Sequence, residues 1–78
     1  RLGTLESEPR PPGARLMALT RREREVAVLI ADGLSNKQTA RRLRITLGTV
    51  KHYVHQILEK TGLPGRVAIA TEARASVR

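Results

Sequence analysis

The chain has no cysteine, phenylalanine or tryptophan, and its one aromatic residue is Tyr53. Without cysteine there is no disulfide and no thiolate zinc site, which fits a reducing, cytosolic setting. Without large aromatics the core has to be built from aliphatic side chains. With 78 residues there is room for one small domain, near the lower limit for folding without staples. No apolar run approaches the roughly 18 residues of a membrane span, and no signal-peptide pattern is present. The chain starts at Arg1 and not at methionine, as expected of a processed chain or a segment of a longer protein. Catalytic signatures are missing too. There is no cysteine nucleophile, no glycine-rich phosphate loop and no carboxylate pair beside a base, so an enzyme is not expected. His52-x-x-His55 sets two imidazoles one turn apart, but no further histidine or cysteine exists to complete a site, and no metal or cofactor is expected.

Acidic residues are scarce as well, 7 against 15 lysines and arginines, for a net charge of +8. None lies between Asp32 and Glu59, a stretch that holds Lys37, Arg41, Arg42, Arg44 and Lys51. A basic surface that merely keeps a protein soluble intersperses both signs. A single-sign field over a third of the chain points to a polyanion, and nucleic acid is the expected partner.

Residues 1–18 contain Pro9, Pro11, Pro12 and Gly13 with no sustained apolar period, and are expected to be a linker or disordered arm. The folded part is expected over 19–78. Thr20 and Glu23 form a capping-box pattern, with Leu19 just before it. Val26, Leu29 and Ile30 then make an apolar stripe ending at Gly33, which predicts a first helix of about three turns. Val28 falls opposite that stripe. Ser35 starts a second helix over about 36–43, with Thr39, Ala40 and Leu43 inward. Arg44 and Ile45 form a connection of helix-turn-helix length.

Thr46 caps the third helix, predicted over about 47–61 and ended by Gly62. Val50, Val54, Ile57 and Leu58 form its inner face. At 100° per residue, Gly48, His52, His55, Gln56 and Glu59 point away, with Thr49 and Lys51 on the flanks. Such a slim, donor-rich outer face suits insertion into a DNA groove. After Leu63-Pro64-Gly65, a fourth helix over about 66–75 turns Ile69, Ala70 and Ala73 inward. The fold class expected is all-α: a four-helix helix-turn-helix domain behind an N-terminal arm, with its thin core relying on caps, close packing and dimerisation.

Three linked motifs carry a resemblance: Leu19-Thr20-x-x-Glu23-x-Glu25-Val26, Gly33-Leu34-Ser35-Asn36-Lys37-x-x-Ala40-x-x-Leu43, and Thr49-Val50-Lys51-x-x-Val54-x-x-Ile57-Leu58-x-Lys60. Together they resemble the LuxR/GerE-type DNA-binding domain, over roughly residues 19–75. The resemblance implies the C-terminal output domain of a bacterial transcription regulator, of the kind found in two-component response regulators. A receiver or other sensor domain would precede it, joined through residues 1–18. The setting it implies is the bacterial cytoplasm, at the nucleoid, with RNA polymerase as a further partner.

It also implies roles for individual residues. The third helix would lie in the major groove of double-stranded DNA with Lys51, His52 and His55 facing base edges, where lysine donates to guanine O6 and N7 and imidazole can donate or accept. Lys37 and Thr49 match phosphate-holding positions. Ser35, Asn36, Thr46 and Thr49 stand at helix N-termini, where backbone N–H groups meet phosphate, and Arg41 adds a cation. The fourth helix is the family's usual homodimer surface, with Val67, Ala68 and Thr71 there and Arg74 on the same side. Tyr53 departs from a frequent histidine and Thr39 from the usual isoleucine. Gly48, early in the reading helix, either loosens that turn or permits close approach to the DNA backbone.

Two other readings share these features. A promoter-reading module of the sigma-factor kind has the same charge and helix pattern, but binds core polymerase and does not pair through its fourth helix. A protein-interaction module would use Val28 and the Val67 side, with DNA contact secondary.

Overall fold

In the computed structural model, which describes residues 14–76, the first three α-helices begin at the hydroxyl residues that mark them in the sequence. Helix α1 spans Arg21–Ala31, α2 Asn36–Leu43, α3 Leu47–Thr61 and α4 Arg66–Ser76. Thr20 Oγ1 accepts from the Glu23 N–H at 3.2 Å while Glu23 Oε1 accepts from the Thr20 N–H at 2.9 Å, a reciprocal cap on α1. Ser35 and Gln38 repeat the arrangement at the start of α2, at 3.1 and 2.8 Å. Thr46 Oγ1 takes the Thr49 N–H at 3.1 Å and shares a 2.8 Å hydrogen bond with the Thr49 hydroxyl.

The first two helices end in the same way. After α1, Gly33 adopts φ 90°; its N–H reaches Ile30 O, and the Leu34 N–H reaches Leu29 O. After α2, Arg44 takes the corresponding position at φ 59°, with Arg44 N–H to Arg41 O and Ile45 N–H to Ala40 O. Both are Schellman turns, which favour glycine because a side chain is strained in the left-handed region. Arg44 accepts that strain at the corner between α2 and α3.

The expected arm over 1–18 divides. Residues 1–13 lie outside the described residues, whereas Ala14–Ala18 forms a 3-10 helix. Leu16 and Leu19 are both buried in the core, so packing starts earlier than the expected boundary at Leu19. Residues three apart eclipse on a 3-10 turn, and a single such pair leaves no period to read. Met17 between them is 81 % exposed. Arg15, also in the expected arm, donates to Thr61 O at 3.3 Å and ties this turn to the end of α3.

The core joins Leu16 and Leu19 to Val26, Ala27 and Ile30 of α1, Ile57 of α3, and Ile69 and Ala73 of α4. Helix α1 therefore lies between α3 and α4, while α2 packs against α3. Tyr53, Val54 and Leu58 extend the inner face of α3 as half-buried neighbours of this cluster.

Thr39 is fully buried at the inward position that the helical period assigns it, yet among the described residues its Oγ1 has no hydrogen-bond partner. A buried, unpartnered hydroxyl costs about 1–3 kcal/mol. Thr39→Val keeps the shape, removes the hydroxyl and differs little in helix propensity. It is expected to stabilise the domain by about 1–2 kcal/mol, read as a raised denaturation midpoint. An unchanged or lowered midpoint would show that the hydroxyl is satisfied.

Candidate nucleic-acid interface

Helix α3 sets the geometry. Val50 and Ile57 are wholly buried, which fixes the roll of the helix, so Gly48, Lys51, His52, His55 and Glu59 are exposed on its far side. The three residues assigned to base reading, Lys51, His52 and His55, thus share one open face. Thr49 and Gln56 are half-buried at its margins. His55 Nε2 lies 3.8 Å from Glu59 Oε2, and the His52 ring is tilted 53° against Tyr53 at 6.3 Å between centroids. Tyr53 itself turns half into the core and is not part of the outer face.

The residues assigned to phosphate stand at the starts of α2 and α3 and along α2. The Ser35 and Thr46 hydroxyl oxygens accept the cap hydrogen bonds from the Gln38 and Thr49 N–H groups, so what these residues add at each helix start is its shape together with a hydroxyl. The caps bind the third N–H of each helix, and the first two remain for an outside acceptor: Asn36 and Lys37 in α2, Leu47 and Gly48 in α3. A helix N-terminus carries partial positive charge, so acceptors that arrive there are anions. Lys37 and Arg41, one turn apart on α2, are both exposed. Asn36 is half-buried, and its Oδ1 accepts from Arg66 Nη1 at 2.6 Å. The acid-free stretch of the sequence therefore coincides with α2, the corner and most of α3.

Gly48 sits in the first turn of α3. Among the described residues a Cβ built there meets nothing closer than Thr46 Oγ1 at 4.0 Å, so their packing does not require glycine. Gly48→Ala is expected to raise stability by about 0.5–1 kcal/mol, measured by chemical denaturation. A destabilised variant would overturn this. A stabilised variant that binds DNA less tightly would give Gly48 the role of admitting the DNA backbone.

The face assigned to dimerisation lies elsewhere. Val67 is 81 % exposed. Thr71 is also exposed, with its hydroxyl bonded to Val67 O at 3.1 Å, while Ala68 is half-buried. Val28 is half-buried on the floor of a shallow groove between α1 and α2, beside Leu29 and Leu43 and rimmed by Arg21, Arg24 and Arg42.

Two further side-chain bridges had no counterpart in the sequence reading. Lys60 Nζ donates to both carboxylate oxygens of Glu23, at 2.9 and 3.0 Å, binding the last turn of α3 to the first turn of α1. Glu23 is 4 % exposed. Burial pushes its carboxyl up, but the bonds from the Thr20 N–H and from Lys60 outweigh that and hold it below the ordinary carboxylate value. The second bridge is Arg66, whose guanidinium also reaches Leu34 O. The capping box flagged Glu23 and the motif contained Lys60, but only the packed helices show that they meet. Among the described residues no group of three histidine, cysteine, aspartate or glutamate side chains could hold a metal, and no helix is long and apolar enough to cross a membrane.

Comparison with known proteins adds an independent line. Residues 17–73 match the family described as bacterial regulatory proteins, luxR family. The nitrate/nitrite response regulator protein NarL of Escherichia coli strain K12 is 54 % identical over 52 residues, covering 67 % of this chain and 24 % of that protein. The transcriptional regulatory protein DesR of Bacillus subtilis strain 168 is 43 % identical over 56 residues, 72 % of this chain and 28 % of that one. The DNA-binding transcriptional activator DevR/DosR of Mycobacterium tuberculosis is 41 % identical over 64 residues, 78 % of this chain and 30 % of that one. The chain thus spans less than a third of each of these relatives.

Proposed function

The chain belongs to the luxR family of bacterial regulatory proteins, and from that premise we propose that it reads double-stranded DNA by laying α3 in the major groove. It is the DNA-binding output domain of a transcription regulator; the finer assignments below are our reading. Lys51, His52 and His55 face base edges. Ser35, Asn36, Lys37, Arg41, Thr46 and Thr49 serve phosphates, the caps through the helix starts they shape and Lys37 and Arg41 through their charge. Two copies pair through the exposed Val67 and Thr71 side of α4, with Ala68 at its edge, which sets two reading helices about one DNA turn apart. A receiver or sensor domain precedes the domain in the full protein, RNA polymerase is the downstream partner, and the work is done at the nucleoid.

One observation carries this reading. The longest stretch without an acidic residue folds into the two helices whose exposed surfaces offer lysine, arginine, histidine and helix N-termini. Phosphate binding releases condensed counterions, so affinity falls linearly with salt on logarithmic axes, by about 0.9 per neutralised phosphate. Titrating the chain against a random-sequence duplex at several salt concentrations is expected to give a steep negative slope. Binding insensitive to salt, or none, would contradict DNA as the partner.

A further inference from the structure

Arg66 opens α4, far in sequence from the helices assigned to DNA, and none of the expected site residues included it. Its half-buried guanidinium donates from Nη1 to Asn36 Oδ1 at 2.6 Å and from Nη2 to Leu34 O. A guanidinium has donors and no acceptor. The end of the Asn36 amide that faces it must therefore be the oxygen, and the end left over is Nδ2 with two N–H groups. Phosphate oxygens only accept, so this is the one orientation of Asn36 that serves a phosphate at the start of α2. An unbridged amide turns over readily and presents either end. Asn36 Oδ1 and Leu34 O are both neutral acceptors, so neither cancels the charge of Arg66, which remains behind a helix N-terminus that already favours an anion.

We propose that Arg66 is a positioning residue for DNA binding: it locks the Asn36 amide with its donor end free for a backbone phosphate and holds α4 against the start of α2. The proposal rests on the DNA-binding reading given above.

The test compares the 78-residue chain with Asn36→Ala, Arg66→Gln, Arg66→Lys and the double variant Asn36→Ala/Arg66→Gln. The probe is one duplex, titrated at several salt concentrations, and the thermal melting of each protein is recorded. Glutamine is chosen because it presents an acceptor as well as donors and lets the Asn36 amide settle either way. Lysine only donates and keeps the oxygen turned inward. Asn36→Ala is expected to weaken binding roughly tenfold, the worth of one hydrogen bond to a charged acceptor. Arg66→Gln is expected to weaken it by most of that factor with an unchanged salt slope, because Arg66 itself meets no phosphate. Arg66→Lys should keep most of the affinity, and Arg66→Gln should add little once Asn36 is alanine.

Equal losses from Arg66→Gln in both backgrounds would mean that the residue acts through the fold alone. A slope reduced by about one would mean that it touches phosphate directly. Either result overturns the proposal, as does an Asn36→Ala variant that binds like the parent while the parent keeps its steep salt slope. Failure of the parent itself to bind DNA would instead remove the functional reading on which the proposal rests.

Discussion

Replacing Lys60 by methionine is expected to destabilise the domain by about 2–4 kcal/mol at neutral pH. Breaking a fully buried ion pair costs about 3–5 kcal/mol, because a charge is left without compensation. The Lys60 side chain is 36 % exposed and its ammonium is partly solvated, so the value sits somewhat lower. What remains is a Glu23 carboxylate, almost wholly out of water, held only by the Thr20 N–H and hydroxyl. The pair joins the last turn of α3 to the first turn of α1, so this loss also loosens the frame that sets the pose of α3.

The pH dependence follows from the direction of the Glu23 shift. Its folded carboxyl is held below the ordinary value, so the folded state binds protons less readily than the unfolded chain. The resulting stabilisation is fully present above the ordinary carboxylate range and is lost as pH falls through the lowered folded value. Lys60→Met removes part of the downward pull and leaves burial pushing the other way. The stability gap between parent and variant should therefore be widest near neutrality and should close in strong acid. Denaturant melts across that range measure it. Equal stabilities at pH 7, or a gap that widens on acidification, would contradict the assignment.

The second large effect concerns reading itself. Lys51→Ala is expected to cost about 1–3 kcal/mol on the preferred DNA sequence and to relax preference at the base position it faces. Lys37→Ala should weaken binding to all sequences alike and reduce the salt slope by about one. The contrast comes from position: Lys51 is exposed on the outer face of α3, whereas Lys37 is exposed beside the N-terminus of α2. Both variants remove one positive charge, so charge alone predicts the same outcome for each. Competition titrations with specific and scrambled duplexes separate them. Uniform loss in both variants would remove Lys51 from the base-reading set.

Much of this architecture was legible because it is local. Thr20, Ser35 and Thr46 each sit where a helix needs an acceptor for its first N–H groups, and Gly33 and Gly62 where the chain must turn left-handed. The 3.6-residue spacing of Val50, Val54, Ile57 and Leu58 gave the inner face of α3, and hence its outer face. Arg44 was placed in the turn, but its left-handed backbone carries no glycine to announce it. Leu16 escaped notice because a 3-10 turn of five residues shows no period. Thr39 was rightly placed inward, although sequence says nothing about whether its hydroxyl finds a partner.

The contacts between elements were not legible at all. Glu23 and Lys60 are 37 residues apart, Asn36 and Arg66 30 apart, and Arg15 and Thr61 46 apart. Whether such pairs meet depends on how the helices cross and roll. Those quantities are set by the whole core and by no single segment. The expected site therefore held the groups that point outward and missed Arg66, which faces inward to hold one of them.

The most direct measurement is selection of bound duplexes from a random-sequence pool by the 78-residue chain at moderate salt, with Lys51→Ala run in parallel. The parent is expected to enrich a two-fold-symmetric site with half-sites about one helical turn, roughly 10 base pairs, apart, and the variant to lose preference at a defined position in each half. Salt-sensitive binding with no enriched sequence would contradict base reading by α3 and leave only phosphate contact.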